Sequence, residues 1–288
     1  MAVSREGSQA GTVGASLRWA SGVLRQVTDV PRLEAEILLS HVTGLSRTTL
    51  LAHPTIQLSN QQTNKPTNYH ALVRRRASGY PLPYLTGRIE FYNLEFEVTP
   101  EVLIPRPETE TLVDLALTHR PATVVDVGAG CGCIAVALAA HLPNATVYAI
   151  EIAPAALAVA RRNVERHGLA ARVHLVAGDV LTPLPGPVHL IVSNPPYVST
   201  GDCASLPVSV RDHEPRLALD GGPDGLSVIR RLLAQAPAKL RPGGRLLIEI
   251  GAGQGEAATS LAGASFPQAT IRVHPDLAGR DRVLEVQT

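Results

Sequence analysis

Apolar positions in the first quarter of the chain recur at helical spacing: Leu17, Val23, Leu24 and Val27, then Leu33, Ile37 and Leu38, then Leu50 and Leu51, then Tyr69, Leu72 and Val73. Pro31, Gly44 and Pro54 punctuate the pattern, and SNQQTNKPTN forms a polar connector. This spacing predicts a small helical bundle over residues 1–82, with the Gly/Ser/Ala-rich stretch 1–15 frayed. The period then shortens. LTGRIEFYNLEFEVTPEVLI alternates and carries turn residues at Tyr92–Asn93, which predicts a β-hairpin linker over 83–105.

From Arg106 onward, over 106–288, apolar strands alternate with amphipathic helices. TVVDVG, TVYAIE, VHLVAGD, HLIVSN and RLLIEIG read as strands, with TIRVH and RVLEVQ closing the chain. Helices are expected from Gly132 to His141, Ala153 to His167 and Gly225 to Leu240. Such alternation predicts an α/β fold with a doubly wound, mostly parallel sheet. Ligands of such sheets sit outside the carboxyl ends of the strands, near the point where strand order reverses.

Composition narrows the function classes. With 288 residues and 45 % apolar content the chain can bury a sizeable core. A net charge of +1 argues against a broad phosphate-binding face, so no direct nucleic-acid binding is expected. Arg74-Arg75-Arg76 is read as a solvated helix face. Cys131, Cys133 and Cys203 are too few for a disulfide framework or a metal site, so no metal is expected. No run of 18 apolar residues occurs and the N-terminus lacks an apolar signal core. The expected setting is cytoplasmic, with no membrane association, for a monomer.

Two stretches carry chemistry. In VVDVGAGCGCIAVALA, Gly128, Gly130 and Gly132 fall between a strand and a helix, where glycine permits a tight turn and close ligand approach. Glu151 ends the next strand, 19 residues after Gly132, a position suited to accepting ribose hydroxyls. Cys133 occupies the place of the third glycine of a dinucleotide fingerprint, which favours a nucleoside ligand without a pyrophosphate. The loop resembles motif I of class I S-adenosylmethionine-dependent methyltransferases. Asp126 either fixes the loop or contacts a methionine amino group. Gly178-Asp179-Val180, after the third strand, resembles the segment lining the adenine pocket in that fold.

The second stretch is Asn194-Pro195-Pro196-Tyr197, where a buried strand stops. Two prolines cannot donate to a sheet ladder, and the residue before a proline is held extended. Asn194 is therefore a stiff polar group at the carboxyl edge. Its carbonyl and that of Pro195 make two converging acceptors, able to grip a planar NH2 group by both hydrogens. Such a nitrogen is a poor nucleophile, and the grip aims its lone pair at the methyl donor. Tyr197 can pack against a planar substrate. The four residues alone leave glutamine, RNA-base and DNA-adenine substrates open.

RRRASGYPLPYLTGRIEFYNLEF, LIPRPETE and EPRLALDGGPDGL resemble the HemK/PrmC family, from about residue 16 to the C-terminus. The resemblance implies transfer of a methyl group from S-adenosyl-L-methionine to the glutamine amide nitrogen in the Gly-Gly-Gln loop of class I peptide-chain release factors. It implies that Gly128, Ala129, Gly130, Cys131, Gly132 and Glu151 bind the donor, with Asp126, Asp179, Val180 and Asn194 beside it. It implies that Asn194, Pro195, Pro196 and Tyr197 bind the glutamine amide and carry the reaction. Arg106, Pro107 and Glu108 fall where the family's chain closes over the site, which makes Arg106 a substrate-binding residue. Val180 stands where some relatives have an aromatic. The N-terminal bundle is then a substrate-recognition domain. The alternatives are glutamine methylation of a ribosomal protein, N6-adenine methylation of nucleic acid, and a donor-binding module without activity.

Overall fold

The computed structural model describes residues 11–59 and 68–288. The expected fraying over 1–15 falls mostly on 1–10, and the polar connector mostly on 60–67, both outside the described residues. The chain divides into two compact units, one ending at Gly87 and the other running from Arg88 to Thr288.

In the first unit, helices span Val13–Leu24, Pro31–Thr43, Arg47–Ala52, Tyr69–Ala77 and Leu82–Thr86. Thr12 and Asn68 cap two of them by accepting the N–H groups of Ala15 and Ala71. Their apolar stripes meet in a core that includes Leu17, Leu24, Leu38, Leu39, Leu50 and Tyr69. The arginine run is not uniformly solvated. Arg74 and Arg75 are exposed, but Arg76 turns inward to Glu34, Nε to Oε2 at 2.7 Å, and also donates to the Val27 carbonyl.

The second unit opens with a hairpin, β1 (Arg88–Phe91) and β2 (Leu94–Glu97), around Tyr92 and Asn93. Both turn residues have positive φ, 52° and 57°, the backbone that keeps a two-residue turn in step with strand twist. Among the described residues a seven-stranded sheet follows, ordered β5-β4-β3-β6-β7-β9-β8. These strands are β3 (Thr123–Val127), β4 (Thr146–Glu151), β5 (Val173–Ala177), β6 (Val188–Ser193), β7 (Leu240–Glu249), β8 (Thr270–Pro275) and β9 (Asp281–Gln287). β3 to β7 run parallel, and β9 lies antiparallel between β7 and β8. Helices Ser227–Gln235 and Gly255–Ser265 pack together on one face, over a core of Val125, Ile191, Ile229, Leu232, Leu246 and Ile248 among others. Helices Glu110–Thr118, Cys133–His141 and Pro154–Arg166 pack side by side in a second group. Cover on both faces explains why β3 and β6 are buried at nearly every position instead of alternating.

Two boundaries differ from expectation. The helix expected over 225–240 spans only Ser227–Gln235, because Pro237 has no N–H to continue the ladder and the chain tightens into a 3₁₀ turn. β7 begins at Leu240, ahead of the expected start at Arg245. The chain runs β3, β4, β5 toward one edge, then crosses to lay β6 on the other side of β3. The switch point thus falls between β3 and β6. It sets Gly128, just past β3, beside Asn194, just past β6.

Candidate functional site

The loop after β3 turns on glycines. Gly128, Gly130 and Gly132 have φ of 75°, 55° and 83°, which L side chains rarely adopt. A Cβ at Gly130 would meet open space, whereas one at Gly132 would press on Ala160 Cβ at 3.3 Å. Gly130 therefore leaves room above the loop, and Gly132 lets the loop pack on helix Pro154–Arg166. Glu151 braces this turn from the end of β4. Its Oε2 accepts Gly130 N–H at 2.9 Å and its Oε1 accepts Ala153 N–H at 2.9 Å. Each carboxylate oxygen keeps a second lone pair for a ligand hydroxyl.

Asp126 lies beneath the loop, fully buried. Its Oδ2 accepts Ala135 N–H at 3.1 Å, tying strand to helix, while Oδ1 has no partner among the described residues. Burial pushes its carboxyl up to about 7, against the Ala135 hydrogen bond. Cys131 is buried and its carbonyl accepts Asn163 Nδ2 at 2.9 Å. Asn163 also exchanges two hydrogen bonds with the Glu97 backbone, so one buried amide ties hairpin to glycine loop. The Cys133 thiol is pushed up by its hydrogen bond with Cys131 and by burial, which makes it a poor nucleophile.

Beyond β5, Gly178 admits no side chain, since a Cβ would lie 2.5 Å from Pro183 Cγ. Val180 has φ of 52°, an outlying conformation for a β-branched residue. It lines the cleft and also packs in the core. Asp179 forms an ion pair with Arg231 of the helix Ser227–Gln235.

At the end of β6, Ser193 Oγ donates to the Val127 carbonyl at 2.8 Å and pins the two strand ends together. Asn194 follows. Its Nδ2 donates to Thr109 Oγ1 at 3.0 Å, and Thr109 Oγ1 donates to Glu249 Oε2 at 2.7 Å. Tyr197 donates its phenol to Glu249 Oε1 at 3.3 Å. Glu249 ends β7, the neighbour of β6, and is fully buried. Burial holds its carboxyl above the usual range, partly offset by Thr109, Arg282 and Tyr197. Burial, with the Glu249 charge, pushes the Tyr197 phenol up to about 12, so it stays protonated.

The backbone after Asn194 is clasped by the segment 219–225. Val198 N–H donates to Leu219 O at 3.0 Å, and Gly221 N–H returns to Val198 O at 2.7 Å. A Cβ on Gly221 would sit 2.6 Å from the Pro196 carbonyl, and one on Gly225 would overlap the Tyr197 carbonyl. Gly221 and Gly225 of LDGGPDGL thus permit an approach that any side chain would block. Arg106 donates Nη2 to Glu214 Oε1 at 2.5 Å, and Glu214 Oε2 accepts Ile104 N–H at 3.1 Å.

These pieces surround one cleft that opens to solvent. Gly128, Gly130 and Glu151 line one part, Asp179 and Val180 another, and Asn194, Pro195 and Pro196 a third. Asp126, Ala129, Cys131, Gly132, Tyr197 and Arg106 lie behind or beside this lining. Sequence reasoning missed Ser193, Ile152 and Leu217 in the wall, and Thr109 and Glu249 behind it. For Glu249 a signal existed, an acid closing the apolar strand LLIE. Thr109 offered none. Among the described residues no group of three His, Cys, Asp or Glu side chains is placed to hold a metal ion, and no helix is long and apolar enough to cross a membrane.

Residues 15–87 match the family described as the PrmC N-terminal domain, and residues 107–207 the methyltransferase small domain. The chain is 49 % identical over 257 residues to the release factor glutamine methyltransferase of Moorella thermoacetica, covering 88 % of this chain and 89 % of that protein. It is 47 % identical over 249 residues to the protein of the same name from Geobacter sulfurreducens, covering 85 % and 86 %. With that of Rhodopirellula baltica it shares 39 % over 287 residues, 96 % of each chain. Among solved structures, the hMettl16 catalytic domain in complex with MAT2A 3'UTR hairpin 6 superposes with a TM-score of 0.55 at 18 % identity, covering 75 % of this chain and 81 % of that one. A methyltransferase from Pyrococcus furiosus gives 0.53 at 19 %, covering 68 % and 90 %. At such identities the structures speak to fold alone.

Proposed function

The chain belongs to the release factor glutamine methyltransferase family, and we propose that it carries out that family's methyl transfer in the cleft between the glycine loop and Asn194. It is an S-adenosylmethionine-dependent methyltransferase acting on glutamine of release factors. The acceptor we infer is the side-chain amide nitrogen of the Gly-Gly-Gln glutamine in class I factors.

The residues fit the donor. Open space above Gly130 admits it to the backbone, and Glu151 has lone pairs left for its ribose hydroxyls. Asp179 and Val180 border the adenine end, and Asp126 acts from behind as the brace of the loop. When bound, the donor supplies an electrophilic sulfonium methyl. The observation that carries the reading is Asn194. It lines the same cleft as Glu151, its NH2 is already occupied by Thr109, and its Oδ1 takes no hydrogen bond from the described residues. Oδ1 and the Pro195 carbonyl then accept both hydrogens of the glutamine amide. Holding both hydrogens localises the lone pair on nitrogen and orients it. No strong base is required, because the nitrogen's proton becomes acidic once it is alkylated. Tyr197 shapes the wall behind, through Glu249.

Glu214 holds both Arg106 and the Ile104 N–H beside the cleft, and we infer that Arg106, so held, is a substrate-binding residue. The helical unit is the recognition domain for the protein substrate. We further infer a monomeric, cytoplasmic enzyme that does not itself bind nucleic acid, consistent with the +1 net charge. The test is mass spectrometry of a class I release factor incubated with enzyme and methyl-labelled donor, beside ribosomal protein and adenine-containing RNA. One added methyl on the Gly-Gly-Gln glutamine is expected. Label on RNA or ribosomal protein alone rejects the reading.

A further inference from the structure

A side-chain amide has two ends of opposite polarity, and only the carbonyl end can hold an NH2 group. Asn194 must therefore be prevented from presenting the wrong end. The buried chain behind it makes that choice. Asn194 Nδ2 meets Thr109 Oγ1 at 3.0 Å, and Thr109 Oγ1 meets Glu249 Oε2 at 2.7 Å. A hydroxyl has one proton, and an ionised carboxylate accepts only. Once Thr109 gives its proton to Glu249, its oxygen can do nothing but accept. It then faces an N–H of Asn194, and Oδ1 is left for the cleft. Thr109 is 2 % exposed and Glu249 fully buried, so bulk water cannot readily replace either partner. The charged and titratable groups around Glu249 are Arg282 from β9, Tyr197 from the loop after β6, and Glu108 beside Thr109. Arg282 and Tyr197 favour the ionised form that the chain of donors needs, and Glu108 opposes it.

We propose that Thr109 and Glu249 are positioning residues, a buried relay ending in a carboxylate that fixes the polarity of the Asn194 amide and so presents Oδ1 to the substrate NH2. The proposal rests on the reading of Asn194 as the amide grip. Neither relay residue lines the cleft.

The ranking of substitutions at Thr109 separates this role from packing. Thr109→Val keeps the shape and removes the hydroxyl. Asn194 must then either turn or leave its NH2 unpaired whenever Oδ1 holds substrate, and an unmade buried hydrogen bond is costly. Thr109→Ser keeps the hydroxyl and loses a methyl. The relay predicts that Val lowers kcat about tenfold or more, with donor affinity by calorimetry and KM for release factor each within twofold. It predicts that Ser stays within about threefold of wild type. Packing alone predicts the reverse, with Val close to wild type and Ser impaired. Glu249→Gln can donate as well as accept, so polarity is no longer enforced and kcat falls at unchanged donor affinity. Wild type should also lose rate as pH falls through the raised Glu249 pKa, and Glu249→Gln should lack that limb.

Thr109→Val turning over within twofold of wild type, or Ser no better than Val, overturns the relay. If Thr109→Val fails to bind donor, Glu249→Gln decides, and wild-type kcat there overturns it equally. Asn194→Ala is measured alongside. Wild-type turnover in that variant removes the amide grip itself, whereas a dead Asn194→Ala beside an unimpaired Thr109→Val removes only the relay.

Discussion

At the scale of single residues, Asn194 and Asp126 make opposite demands on their surroundings. Judged as an acceptor alone, aspartate at position 194 should outperform alanine. The Thr109 contact reverses that order, because a carboxylate there would face a hydroxyl oxygen whose proton is committed to Glu249. Asn194→Asp is therefore expected to slow single-turnover transfer by about 10²-fold, the scale of losing one preorganised contact at the reacting centre, and to be no better than Asn194→Ala. Rapid-quench measurement at saturating donor checks this. Asp126 governs stability. Its carboxyl is raised by burial to about 7 from an ordinary 3.8. A pKa raised on folding means the favourable, protonated state is fully available below about pH 4 and is lost as pH climbs through 7. The stability of Asp126→Asn relative to wild type, from urea unfolding without donor, should rise between pH 5 and pH 8 and flatten above. A difference independent of pH would mean Asp126 does not titrate in that window.

At the scale of elements, the site depends on segments that meet only in the folded sheet. The clasp on Asn194–Tyr197 comes from residues 219–225, and a Cβ at position 225 collides with the Tyr197 carbonyl. Gly225 also has φ of 75°, so alanine there is strained twice over. Gly225→Ala should lower kcat by at least about 10²-fold, since shifts near 1 Å at a reacting centre cost that much. Donor affinity should change far less, and comparing turnover with calorimetric donor binding tests the split. The strands, the glycine loop and the abrupt stop at Asn194 were legible from the chain, because hydrophobic period, glycine and proline act locally. Thr109 was not, and the acid closing LLIE did not show what it meets, because that meeting spans 140 positions and follows from the helix after Thr109 packing on β7. The pairing of Arg106 with Glu214 was equally hidden, since the two lie 108 positions apart. Short-range pattern reports what each segment can do, and sheet order decides which segments touch.

At the scale of the whole molecule, the cleft draws its entire lining from residues 101–231, within the second unit. That unit has its own sheet and core, and the bundle has its own core built on Leu17, Leu38 and Tyr69. A chain lacking residues 1–87 should bind donor within about threefold of the full protein, because no cleft contact is removed. It should methylate intact release factor at least tenfold more slowly if the bundle holds the substrate; equal rates on intact factor would deny the bundle that role. In the history of such genes this separation has its own consequence. If the bundle holds the substrate, recognition and chemistry can diverge at different rates, and a duplicated copy can acquire a new client by exchanging its first ninety or so codons while inheriting the transfer machinery unaltered. A chimera carrying a foreign bundle on residues 88–288 would reveal it, by keeping the donor and changing the protein it modifies.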